Sequence, residues 1–116
     1  MENSFETIIE QAIRIRKQYH ALEIEHHNTE WTLEEDALAF LTDAALVGRL
    51  VMDKAERWPK PNSEGELGYK IAESIWWLIN IAERSDIDIA KILPEVLETL
   101  DRNTKPKKSD FFKKIQ

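Results

Sequence analysis

Two stretches of the chain are apolar nearly all the way round a helix. Residues 37–52 and 70–82 carry only a few polar groups, among them Asp43, Glu73 and Asn80. A helix that is apolar on every face is a buried helix. Shorter amphipathic patterns flank the two. Phe5, Ile8, Ile9, Ala12, Ile13, Ile15 and Tyr19 recur at helical spacing and predict a helix over residues 4–20, with Asn3 as its cap and Glu6 at the capping-box position. A polar connection follows over 23–30. Thr32 and Glu35 form a capping box that opens the second helix, expected to run to residue 57, where Trp58, Pro59 and Pro61 end it. Ser63 and Glu66 make a second box, opening a third helix that reaches residue 84. Ser85 or Asp86 should cap a fourth, with Asp88 at the box position, ending near residue 102. Within it Pro94 either bends the helix or separates residues 87–93 as a turn of their own. Strand signals are poor, so the fold class is all-α: four helices, with helices 2 and 3 able to pack as an antiparallel pair.

That pattern is too apolar for a small monomer. Trp76 and Trp77 lie about 100° apart on helix 3, and Leu78, Ile79 and Ile81 occupy further faces. The simplest way to bury them all is a homo-oligomer, a dimer or a tetramer. Gly48 in mid-helix costs about 1 kcal/mol against alanine. It is expected to admit a neighbouring helix, with Trp76 or a second copy as the candidate.

Length and charge narrow the picture. At 116 residues the chain is one domain, with no cysteine for disulfides or thiolate metal sites. Charged residues interrupt every apolar run, so no membrane span is expected. The N-terminus lacks the basic start and apolar core of a signal peptide, making the cytoplasm the default location. A net charge of −6 argues against general nucleic-acid binding. Residues 104–116 differ from the body (1–103): they hold five lysines against one acid. This basic tail is either a solubilising terminus or a docking segment.

The buried acids carry the chemistry. Glu66, Lys70, Glu73, Trp77 and Asn80 share one face of helix 3, while Asp36, Phe40, Asp43 and Val47 share one face of helix 2. If those faces meet, Asp36, Asp43, Glu66 and Glu73 cluster. Carboxylates without cysteine suit a hard cation such as Mg²⁺. The same residues can equally form a structural network in which Lys70 neutralises Glu66 or Glu73. Trp31, Trp58 and Trp77 are either stacking platforms for a base or core aromatics. Lys54, Arg57 and Lys60, near the loop, either meet phosphate or balance the acidic body. His20, His26 and His27 lack zinc-site spacing and read as solvated.

The stretch 67–89, with Lys70, Glu73, Trp76 and Trp77 leading into Ile87, Asp88 and Ile89, resembles the second metal helix of the all-α MazG-like nucleoside triphosphate pyrophosphohydrolases. There Glu-x-x-Asp precedes an apolar Trp/Tyr-rich run and Gly-Ile-Asp-Leu. The stretch 40–50 resembles the first metal helix, which reads Glu-Glu-x-x-Glu. The similarity covers residues 31–103. It implies a four-helix MazG-like bundle assembling as a homo-oligomer, with a nucleotide-sized cleft between helices 2 and 3. It also implies Mg²⁺-dependent hydrolysis of nucleoside triphosphates to monophosphate and pyrophosphate.

On that resemblance Asp43 and Glu73 are the catalytic metal ligands, joined by Glu66 or Asp36, and Lys70 contacts phosphate. Trp58, Trp77, Asn80 and Lys54 are the candidate substrate contacts. This chain departs from the pattern where Ala44 and Val47 replace glutamates of the first motif, and where Lys70 and Glu73 stand for Glu and Asp in the second. A non-catalytic relative, with Lys70 in place of the cation, is therefore the alternative. A helical adaptor working through its basic tail is the third reading.

Overall fold

A computed structural model describes residues 4–106. Four helices follow in order: α1 (Phe5–His27), α2 (Leu33–Lys54), α3 (Glu66–Arg84) and α4 (Ile89–Thr104). There is no strand among the described residues, so the chain is all-helical as its periodicity predicts. None of these helices is long and apolar enough to cross a membrane.

Helix ends explain most differences from the sequence reading. Ser4, rather than Asn3, caps α1, its hydroxyl accepting from the Thr7 N–H at 3.2 Å. Asn3 itself lies outside the described residues. The helix continues seven residues past His20, through the stretch expected to be a polar connection. Two contacts hold that extension: Arg16 donates to Glu23 at 2.9 Å, and the Trp31 N–H donates to the other Glu23 oxygen at 2.8 Å. Asn28 then closes the helix in the left-handed conformation that asparagine tolerates.

The Thr32–Glu35 box opens α2 with both reciprocal bonds in place. That helix stops at Lys54, three residues short of expectation. Glu56 takes a left-handed conformation, and the Arg57 N–H bonds back to the Met52 carbonyl, a Schellman closure ahead of Pro59. The Ser63–Glu66 box does not form. The Ser63 hydroxyl donates instead to Asp53 at 2.6 Å, and α3 starts from Gly65 at φ +77°, a conformation that glycine adopts without strain. Ser85 and Asp86 do not cap α4. They close α3 as a second Schellman turn, with the Ile87 N–H on the Ala82 carbonyl, and Asp88 precedes α4 without a side-chain cap. Pro94 lies inside a helix that continues on both sides of it.

Helices α2 and α3 pack as the expected antiparallel pair. The contacts run from Asp36–Arg84 through Asp43–Trp77 to Asp53–Ser63. Helix α1 lies along α3, with the Trp76 indole N–H on the Ala12 carbonyl at 3.1 Å and Tyr19 edge-on to the same ring. The three helices meet at Asp36, which is wholly buried. Its carboxylate accepts from Arg16 Nη2 at 2.6 Å and from Arg84 Nη1 at 2.7 Å.

The apolar core is small: Ala12, Leu50, Trp77, Ile79 and Ala82. No residue of α4 is buried. The radius of gyration is 19.2 Å, against about 13 Å for a compact chain of this length. The four helices thus do not close into a bundle within one chain.

Removing one partner from a buried ion pair leaves a desolvated charge, which costs about 3–5 kcal/mol. Asp36→Ala strands two guanidiniums and is expected to lose about that much stability, read as a lower urea midpoint. Glu34→Ala, an exposed residue with no such contact among the described residues, should leave the midpoint within about 0.5 kcal/mol of the parent.

Candidate functional site

The antiparallel register of α2 and α3 brings Asp43 and Glu73 to one groove. Lys70 stands between them, its ammonium donating to Glu73 Oε1 at 2.8 Å and to Asp43 Oδ1 at 3.3 Å. The remaining Asp43 oxygen accepts from the Trp77 indole N–H at 3.0 Å. The hydrogen bond to Glu73 raises the Lys70 pKa above its ordinary 10.5; burial works against this, and Asp43 reinforces it. The lysine therefore keeps its charge to higher pH than a free lysine does.

The other two acids are engaged elsewhere. Asp36 lies seven residues from Asp43, about 10 Å along the helix, and is held by Arg16 and Arg84. Glu66 pairs with Lys60. The four carboxylates thus fall into three separate clusters, each with its own cation, and no group of three or more His, Asp or Glu among the described residues is placed to hold a metal ion. Mg²⁺ needs uncompensated negative oxygen ligands close together. These residues do not fit it.

Beside Lys70 opens a cavity of about 430 Å³ between α2, the following loop and the start of α3. Leu46, Leu50 and Tyr69 supply apolar wall, Arg49, Lys60 and Lys70 supply cations, and Glu64 and Glu66 supply acids, with Glu66 paired to Lys60. Tyr69 is 67% exposed, its ring largely free. Arg49 lies 3.7 Å over the Trp58 ring and donates to the Trp58 carbonyl at 2.7 Å, anchoring the loop at the cavity's edge. Loop position is also set by Asp53, which accepts from Ser63 and from the Lys60 N–H at 2.6 Å each. Lys54 lines a neighbouring cavity with Asp53 and Ser63.

Two candidate ligand contacts lie in the core instead. Trp77 is buried and stacks on Trp31 at 6.3 Å, with Arg16 beside both rings. Asn80 is buried, its amide donating to the Trp76 carbonyl at 2.9 Å. The three histidines belong to α1, where His20 sits 3.7 Å from Glu30. Of the tail, residues 107–116 lie outside the described residues.

Sequence reasoning missed Arg16, Glu23, Arg84 and Tyr69. Arg16 had a signal: it interrupts an apolar stripe one turn after Ala12, where a charge demands a buried partner. Tyr69 had none, since its exposure follows only from where α3 begins. No protein-family model, curated protein or solved structure matches this chain.

Two carboxylates are held below their ordinary values. Burial alone would raise Glu23, but hydrogen bonds from Arg16 and the Trp31 N–H outweigh it. Asp53 is lowered by the Ser63 hydroxyl and the Lys60 N–H. A depressed folded-state pKa contributes stability that is full above the ordinary values, 4.5 and 3.8, and is lost as pH falls through the folded-state values. The urea midpoint should therefore hold steady down to about pH 5 and drop below pH 4. A Glu23→Gln, Asp53→Asn chain should show a shallower drop in the same titration.

Proposed function

We propose that this chain is a non-catalytic helical module of MazG-like type. In this reading it self-associates, and its pocket between α2 and α3 takes a nucleotide-class anion without a metal ion. The observation that carries the reading is the Lys70 ammonium between Asp43 and Glu73. In the family the chain resembles, metal ions occupy the groove between these two helices; here a fixed side-chain charge compensates the acids. The cavity beside it supports a ligand with an aromatic body and negative groups. Tyr69 offers a ring face to stack on, and Arg49, Lys60 and Lys70 offer cations at the same wall. Phosphate reaching Lys70 would draw the ammonium from Glu73, coupling occupancy of the pocket to the α2–α3 contact. Self-association is supported by the small core, by the unburied α4 and by the long apolar faces left open on α2 and α3.

The test is a panel of nucleoside triphosphates followed by thermal shift and pyrophosphate release, each with Mg²⁺ and with EDTA. Stabilisation equal in both conditions, with no pyrophosphate, is the expected outcome. Mg²⁺-dependent pyrophosphate release would overturn the non-catalytic reading, and no stabilisation by any nucleotide would overturn the pocket assignment. Tyr69→Ala should weaken binding about 5- to 150-fold, the equivalent of about 1–3 kcal/mol for one stacked base. Lys70→Glu removes the internal cation and adds a third acid, so that variant should gain a Mg²⁺-dependent thermal shift that the parent lacks.

A further inference from the structure

The face of α2 that points away from α3 carries a second, independent pattern. Asp36, Asp43 and Leu50 face α3. Two residues further on, about 200° round the helix, lie Leu38, Leu41, Ala45, Gly48, Met52 and Ala55. Their spacing alternates three and four, the heptad repeat of a helix–helix seam. All six are exposed; Leu38 is 64% and Leu41 61% accessible. Gly48 sits in mid-helix, where glycine is unfavourable against alanine. Nothing among the described residues requires it. A Cβ added there meets no heavy atom within 4 Å among the described residues, and Trp76, the neighbour expected from the sequence, packs on α1. Gly48 makes sense if a helix from outside crosses at that point.

The order of side chains along the seam identifies that helix. When two copies of α2 are laid antiparallel about a twofold axis, the numbers of facing residues sum to 93. Leu41 then faces Met52 of the second copy, Ala45 faces Gly48, and Leu38 faces Ala55. The bulky pair sits beside the small pair, and the smallest side chains fall at the crossing, where they allow the closest approach. A twofold contact uses the same patch on both molecules, so a patch must complement itself in reverse. This one does. Charge agrees. The chain carries −6 overall, so most surfaces of two copies repel. Between residues 37 and 52, however, the seam and its flanking positions Ala37, Thr42, Ala44, Arg49 and Val51 hold no acid.

We infer that α2 is the self-association helix, pairing antiparallel with α2 of a second copy across Ala45 and Gly48. This rests on the self-association proposed above and names its surface. It places the outer side of α2 in the interface and leaves the α3 side, with Asp43 and the pocket, inside each subunit.

The chain has no cysteine, so introduced thiols report cleanly. Leu41→Cys and Met52→Cys chains, mixed under mild oxidation, should cross-link to each other. Neither should cross-link to itself, because two copies of residue 41 would stand about 16 Å apart along the axes, beyond disulfide reach. Gly48→Leu should convert the oligomer to smaller species in sedimentation while the helical circular dichroism is kept, since the added side chain has free space within the subunit. Cross-links between two copies of residue 41, or an oligomer indifferent to Gly48→Leu, would overturn the seam and leave self-association standing through another surface such as α4. A parent chain that sediments as a monomer would overturn both.

Discussion

The wholly buried carboxylate of Asp36 is the point on which the arrangement of α1, α2 and α3 depends. It lies on α2 and takes one guanidinium from α1 and another from α3, so a single anion sets the relative position of three helices. An ion buried this deeply loses its hydration, and only close, well-directed partners offset that loss. Arg16 and Arg84 supply them at 2.6 and 2.7 Å. Arg16 then reaches Glu23, which in turn holds the Trp31 N–H, so the same cluster stiffens the α1–α2 connection and brings Trp31 onto Trp77. Few apolar residues are fully buried, and this polar centre links three helices where the apolar core is small.

A second ion cluster one turn-pair along α2 follows the same logic with a different consequence. Asp43 and Glu73 are brought together by the α2–α3 register and neutralised by Lys70. In charge terms two carboxylates and one ammonium leave a net −1, too little to hold a divalent ion but enough to keep the lysine firmly protonated. The chemistry of this groove is that of an internal salt bridge. The cavity beside it is lined by both signs of charge, Arg49, Lys60 and Lys70 together with Glu64 and Glu66.

Burial is unevenly distributed. Helix α3 holds most of the buried residues, and α4 holds none. The apolar faces of α2 and α4 are therefore exposed in the single chain, and each exposed leucine or isoleucine forgoes part of the roughly 1.5–3 kcal/mol that full burial is worth. Gly48 carries a conformational cost that no contact among the described residues explains.

Much of the fold was legible from residue spacing alone. Four helices, the Thr32 capping box and the helix faces that carry Asp43 and Glu73 follow from residue spacing, because neighbours on a helix are fixed by 100° steps that depend on no other part of the chain; that the two faces meet was one option open to them. What spacing could not supply was the choice among competing partners. Ser63 had two uses, a helix cap or Asp53, and took the second. Lys70 lay within reach of both Glu66 and Glu73, and Lys60 claimed the former. Arg16 and Asp36 are twenty residues apart, and nothing local links them. Sequence by itself therefore determined which segments coil and which of their faces are apolar. The tertiary structure decided which charge meets which, and that decision turns on distances of a few tenths of an ångström between groups that only packing brings together.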